Sequence, residues 1–306
     1  MIIAVFPGQG SQTPGFLTPW LELDGARERL AAYSEQAGVD LVAAGTEWDA
    51  DQIRDTSVAQ PLIVAASLLS WAALNERIET PVAGVAGHSV GEIAALAASG
   101  VLGDADALRL VGLRGRAMAE AAAAVETGMS AVVGGDEQTV LERLDALGLT
   151  PANYNGGGQI VAAGELPALD ELAAEAPRGA RVIPLQVAGA FHTRFMEPAV
   201  EALRSAAADV AVSGPTTTLW TNSDGSVVTE GRRALDLVVA QVASPVHWDR
   251  CMASFAEHGV TGIIELSPAG ALTGLAKRAL RGTPTVAVKT PDDLDAAVSL
   301  LKEDQA

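Results

Sequence analysis

A serine framed by glycines, Gly87-His88-Ser89-Val90-Gly91-Glu92, carries the strongest chemical signal in the chain. It has the G-x-S-x-G spacing of a nucleophile elbow, with an apolar run before it and a helical pattern after it. Glycine on either side lets the backbone turn where side chains would clash. The serine then stands at a helix N-terminus, whose free N–H groups favour the negative charge of a tetrahedral intermediate. A tight strand–helix turn with an incidental serine is the competing reading. A serine hydroxyl is a weak nucleophile and needs a base, and the chain has four histidines: His88, His192, His247 and His258. His88 adjoins Ser89 on the strand and is expected to point to the opposite face. His258 precedes Gly259 in a helical pattern and suits a helix C-terminus. His247, in the segment Pro245-Val246-His247-Trp248, stays open. His192 follows a strand and the Gly189-Ala190-Phe191 turn, where α/β folds place their chemistry, and is the favoured base. Arg114 lies among Leu110, Val111 and Leu113 in a helical stretch, so partial burial is expected. A buried guanidinium needs an anion and can hold a carboxylate bidentately; a surface ion pair is the alternative.

Strands and turns must bring these residues together. Ile2–Phe6 and Val82–His88 read as buried strands of a parallel sheet, and Gly91 to about Ser99 as the helix leaving the elbow. Val58–Leu74 reads as a long apolar helix that tolerates Pro61 near its start. Asp104 is expected to cap a helix running to about Ala124. The rhythm then changes. Strand Met129–Val133 is followed by a helix capped by Asp136 and closed by Gly148. Strands Leu149–Tyr154 and Ile160–Ala163 flank the turn-rich Asn155-Gly156-Gly157-Gly158, and helix Glu165–Ala176 leads to strand Arg181–Val187. Strand-helix-strand-strand-helix-strand is the split βαβ order of ferredoxin-like modules. The expected organisation is therefore α/β: a large domain with a parallel-sheet core at residues 1–124 and 189–306, and a small ferredoxin-like subdomain inserted at 125–188. Thr217–Thr221, Gly262–Leu266 and Thr285–Lys289 are the remaining strand candidates.

Bulk properties narrow the function classes. A chain of 306 residues that is 49% hydrophobic can bury a sizeable core, so global disorder is excluded. Its formal charge of −18 argues against a nucleic-acid partner, which needs a basic face. The single cysteine, Cys251, can form neither an internal disulfide nor a thiolate metal site alone. No long charge-free apolar run is apparent and the N-terminus lacks a signal-peptide pattern, so no membrane association and a cytoplasmic location are the expectations.

Six blocks in order carry a family resemblance: Phe6-Pro7-Gly8-Gln9-Gly10-Ser11-Gln12, Gly87-His88-Ser89-Val90-Gly91-Glu92, Leu113-Arg114-Gly115, Asn153-Tyr154-Asn155, Gly189-Ala190-Phe191-His192-Thr193 and Gln241-Val242-Ala243-Ser244-Pro245-Val246. Together they resemble malonyl-CoA:acyl carrier protein transacylases and the acyltransferase domains of polyketide synthases, over essentially the whole chain. The resemblance implies an α/β-hydrolase-like large domain and a Ser89–His192 dyad without a carboxylate, His192 being oriented by the backbone carbonyl of Gln241. It implies an oxyanion hole from the N–H groups of Gln9 and Val90, and Arg114 as the holder of the malonyl carboxylate. Phe191 and Met118 are implied to set selectivity, the ring of Phe191 leaving little room for an α-methyl branch. No cofactor is implied; malonyl-CoA is the substrate and holo-acyl carrier protein the partner, with a monomer as the simplest assembly. The extender units would serve fatty acid synthesis, or polyketide synthesis by identical chemistry.

Two rivals remain at this level. An esterase shares the elbow, but its Ser-acid-His order would need Asp249 and His258 from one short helical region. A non-catalytic carrier-binding protein leaves Ser89, His192 and Arg114 together unexplained. For carrier docking, Lys277, Arg278 and Arg281, with Lys289 nearby, form a dense basic group in an acidic chain; a solvated helix end complementing its own dipole is the alternative.

Overall fold

The computed structural model describes residues 1–304. Its strands, in chain order, are β1 (Ile2–Phe6), β2 (Gly84–Gly87), β3 (Thr127–Gly134), β4 (Thr150–Gly156), β5 (Gln159–Glu165), β6 (Ala180–Pro184), β7 (Thr218–Leu219), β8 (Val246–His247), β9 (Gly262–Glu265) and β10 (Thr285–Ala287). One sheet has the order β10-β9-β1-β2-β7, and all its pairings are parallel. β1 is buried at every residue because both faces of this sheet are covered. Strand alternation divides it: Ile2, Ala4 and Phe6 enter one core with the long helices, whereas Ile3 and Val5 enter another with Trp220, Trp248 and Phe255.

The helix Thr56–Asn75 packs on the helices Gly91–Ala98 and Asp104–Ala124, and its Trp71 meets Phe6 of β1 edge to face. Asp55 caps it through the Ser57 amide at 2.8 Å. This helix corrects one expectation. It is free of charged residues over its whole length and is long and apolar enough to cross a membrane, yet it lies mostly buried as a core helix. Asp104 is also corrected: Gly103 is the N-cap, and the Asp104 carboxylate instead accepts the Tyr33 hydroxyl at 2.6 Å. His247 belongs to a short strand and not to a loop.

The second sheet has the order β6-β3-β5-β4-β8. Its first four strands pair antiparallel, in the ferredoxin-like order, and β8 adds parallel to β4 from a distant part of the chain. Asp136 caps the helix Glu137–Ala146 by accepting the Thr139 amide at 3.0 Å. That helix and Leu166–Ala174 cover one face of the sheet with a core including Val132, Val140, Leu144, Ile160 and Leu172. The alternate residues Met129, Ala131, Asn153, Asn155, Gln159 and Val161 face the other way, over the elbow.

The elbow itself is set by close approach. A Cβ at Gly87 would lie 2.1 Å from the backbone of Gly91, and one at Gly91 would lie 2.2 Å from Phe6 O and 2.6 Å from Pro7 O. The obstructing atoms are backbone, which cannot swing aside as a side-chain tip can. Gly91→Ala should therefore lose about 1–3 kcal/mol or more of stability, opposite in sign to the helix propensity of alanine. Urea denaturation tests this; an unchanged midpoint would show that the elbow yields freely.

Candidate active site

The turn after β2 puts Ser89 at φ 52°, and the turn before the helix Glu197–Ala208 puts His192 at φ 62°. Both are left-handed conformations that cost a non-glycine residue on the order of 1–3 kcal/mol, held only where the surroundings demand them. They bring Ser89 Oγ to 2.7 Å from His192 Nε2. On the far side of the ring, His192 Nδ1 lies 2.8 Å from the carbonyl of Gln241. A carbonyl only accepts, so Nδ1 carries the proton and Nε2 is left bare toward the serine hydroxyl. Burial first, then the charge of Arg114, push the His192 pKa down to about 3, so the imidazole is neutral near pH 7. Among the described residues no carboxylate contacts His192.

Arg114 is 1% exposed. Its NH1 donates to Gln60 Oε1 at 2.5 Å and its NH2 to Gln241 Oε1 at 3.1 Å, while Nε has no partner. Burial lowers its pKa to about 10, partly offset by Glu92, and it remains a cation. Among the described residues it forms no ion pair within 4.0 Å. Both it and Ser89 line a cleft of about 340 Å³ between the two sheets, together with Gln9, Val90, Met118, Phe191 and His192. The main-chain amides of Gln9 and Val90 have no hydrogen-bond partner among the described residues, whereas the Gln9 side chain donates to Arg54 O at 3.3 Å. Met118 is held by Gln60 Nε2 at 3.4 Å from its sulfur.

His88 is corrected. It lines the same cleft instead of facing away, because the left-handed turn at Ser89 ends strand alternation. It is nevertheless occupied, its Nε2 lying 2.9 Å from Asn155 Oδ1. His247 stacks on Tyr154 with centroids 4.7 Å apart, and His258 ends a helix with Nδ1 2.7 Å from Ser254 O; neither reaches Ser89. Lys277, Arg278, Arg281 and Lys289 lie exposed outside the cleft. Lys277 and Arg278 end the helix Ala271–Ala279, whose first residue lines the cleft.

Sequence reading gave no role to three buried polar residues: Gln60, Glu92 and Asn222. Asn222 Oδ1 accepts the Ser89 amide at 2.7 Å, and its Nδ2 donates to Gly87 O at 2.6 Å, so it fastens the elbow from behind. Gln60 carried a faint signal, an amide in the midst of an apolar helix. Asn222 carried none beyond its place after a strand.

The sequence and the fold are similar to those of known proteins. The family described as acyl transferase domain matches residues 3–303. The malonyl CoA-acyl carrier protein transacylase of Mycobacterium tuberculosis is 54% identical over 98% of this chain and 100% of its own length. That of Escherichia coli K12 is 33% identical over 97% and 98%. Among solved structures, MCAT from Mycobacterium tuberculosis superposes with a TM-score of 0.94 at 53% identity, covering 97% of this chain and 100% of its own. A malonyl-transacylase solved in complex with a type II PKS acyl-carrier protein superposes with a TM-score of 0.90 at 30% identity, covering 97% and 99%. The chain belongs to the acyl transferase family, in the branch of the malonyl-CoA:acyl carrier protein transacylases.

Proposed function

We propose that this chain moves the malonyl group from malonyl-CoA to the phosphopantetheine thiol of holo-acyl carrier protein, through an ester on Ser89. The observation that carries the reading is Arg114, a buried cation in the same cleft as Ser89 with an unpartnered Nε and no anion of its own. A free carboxylate on the acyl group supplies that anion. In the first half-reaction Ser89 Oγ attacks the thioester carbon as His192 Nε2 takes its proton, and the proton then leaves with the coenzyme A sulfur as a thiol. In the second, the carrier thiol gives its proton to His192, its sulfur attacks the ester, and Ser89 recovers the proton as its oxygen departs. The amides of Gln9 and Val90 are the donors for the oxyanion; removing one such donor elsewhere costs about 2.7–4 kcal/mol. Gln241 holds the tautomer of His192 through its carbonyl.

Phe191 and Met118 bound the acyl end of the cleft and leave a malonyl group without an α-branch as the fitting extender unit. The product feeds chain extension in fatty acid synthesis, or in polyketide synthesis. In this reading residues 125–188 are an inserted subdomain that roofs the cleft, and the enzyme works as a cytoplasmic monomer without a cofactor. The carrier docks on Lys277, Arg278 and Arg281, where the helix beginning at the cleft presents cations to an acidic partner despite the overall negative charge.

Ser89→Ala should abolish the malonyl-enzyme adduct in intact mass spectrometry; a persisting adduct would remove Ser89 as nucleophile. Arg114→Ala should depress malonyl loading by roughly one to two decades relative to acetyl loading, the equivalent of about 1.5–3 kcal/mol for a charge-assisted bond. Equal losses for both acyl groups would make Arg114 structural. Reversing the charges of Lys277 and Arg278 to Glu should raise the carrier's KM severalfold while leaving loading from malonyl-CoA intact, and parallel losses in both half-reactions would refute the docking site.

A further inference from the structure

Glu92 stands in the first turn of the helix Gly91–Ala98 and is 2% exposed. Its carboxylate contacts neither Ser89, His192 nor Arg114. Oε2 accepts Gln241 Nε2 at 2.5 Å, and Oε1 accepts the Asn222 amide at 3.2 Å. These two partners are the residues that do reach the chemistry. Gln241 offers Oε1 to Arg114 NH2 at 3.1 Å and its carbonyl to His192 at 2.8 Å. Asn222 Oδ1 accepts the Ser89 amide at 2.7 Å and Gln241 Nε2 at 3.2 Å. We propose that Glu92 is a positioning residue whose carboxylate, by gripping Gln241 and Asn222, fixes both the acceptor facing Arg114 and the support of the Ser89 turn.

The reason lies in donor and acceptor accounting. A glutamine amide fits its site in two orientations unless its neighbours distinguish oxygen from nitrogen. An ionised carboxylate only accepts, so the NH2 end of Gln241 must face Glu92 and the oxygen must face Arg114. Asn222 Oδ1 accepts from the same NH2, so the carboxylate and Asn222 hold the amide together, and losing the anion removes the charge-assisted one of the two acceptors. Each carboxylate oxygen accepts one of these donors, and a proton on the group removes the charge that strengthens both bonds. The charged or titratable groups that act on Glu92 are Arg114 from the helix Asp104–Ala124 and Cys251 from the helix Trp248–Glu257; burial pushes the Cys251 thiol up, so it stays neutral. Burial pushes Glu92 up to about 7, against its hydrogen bonds from Asn222 and Gln241 and the charge of Arg114. The positioning form is therefore present above that value and is lost as pH falls through it. His192 stays unprotonated down to about 3 and contributes nothing in that window.

The inference rests on the reading of Arg114 as the carboxylate holder. The test measures kcat/KM for acyl-enzyme formation from malonyl-CoA and acetyl-CoA, from about pH 5.5 to about pH 8.5, in the unmodified enzyme and in Glu92→Gln; kcat/KM reports the ionisations of the free enzyme. The malonyl-to-acetyl ratio cancels titration of the coenzyme A phosphates, which both substrates share. Expected are a ratio that falls on acidification through about 7 in the unmodified enzyme, and in Glu92→Gln a ratio lowered at least about tenfold with that pH dependence gone. A purely structural Glu92 would lower thermal stability and leave ratio and profile unchanged, which overturns the proposal. If Glu92→Gln fails to fold, the unmodified enzyme decides: a ratio flat across the range overturns the proposal, and a falling one supports it. Failure of the underlying reading is separate, because it would appear as a malonyl adduct surviving Ser89→Ala or as equal malonyl and acetyl losses in Arg114→Ala.

Discussion

A guanidinium withdrawn from water must be surrounded by acceptors, and the site is organised by how Arg114 meets that demand. Its nearest partners are neutral: the amide oxygens of Gln60 and Gln241. The closest anion, Glu92, acts one residue removed, through Gln241. This arrangement solvates the charge without cancelling it. A direct buried ion pair would satisfy the cation and leave little to offer a ligand, because separating such a pair is strongly unfavourable. Amide solvation instead leaves a positive site with its Nε unpartnered, beside the serine. The helix Asp104–Ala124 that carries Arg114 packs on the helix that carries Gln60, so the pairing of these two helices is a condition of the site as well as of the core.

The catalytic pair depends on a second constraint, which is steric. Ser89 and His192 both occupy left-handed backbone conformations, and each is held by what surrounds it. Ser89 is clamped between Gly87 and Gly91, which touch backbone atoms, and Asn222, which bonds both sides of the turn. His192 is fixed by the Gln241 carbonyl and followed by Thr193, whose hydroxyl donates to Ala190 O at 2.6 Å. Strain of this size persists because several independent bonds oppose its release. Gln241 takes part in both constraints: its main chain orients the histidine, and its side chain solvates the arginine.

What could be read from the sequence divides along the same lines. Patterns governed by nearest neighbours along the chain were legible: the buried β1, the capped helix Glu137–Ala146, and the glycine-framed elbow. The order of the small sheet's four antiparallel strands was legible because they follow one another along the chain, whereas β8, which joins from a distant segment, was not. Asp104 was misread as a cap because its carboxylate is claimed by Tyr33, a partner 71 residues away that local propensity cannot show. His88 was misplaced because a strand rule was extended across a turn that breaks the strand. The buried network of Gln60, Glu92 and Asn222 was hidden, apart from the faint signal of Gln60, for a related reason. Its members come from separate helices and a loop, and each is an ordinary polar residue until the fold brings them within hydrogen-bond distance.

The electrostatics also bear on how a dyad functions without an acid. A carboxylate behind a catalytic histidine orients it and favours its protonated form; here the carbonyl of Gln241 supplies the orientation alone. Burial and the charge of Arg114 together keep the imidazole far from protonation. A carboxylate seated against Arg114 would cancel the second of these contributions and raise the basicity of His192. An acyl group lacking the carboxylate leaves Arg114 uncompensated and the base weak. With Arg114 in its proposed role, recognition of the substrate's charge and activation of the nucleophile are linked through one buried cation. In that reading, discrimination follows from the chemistry step as well as from binding.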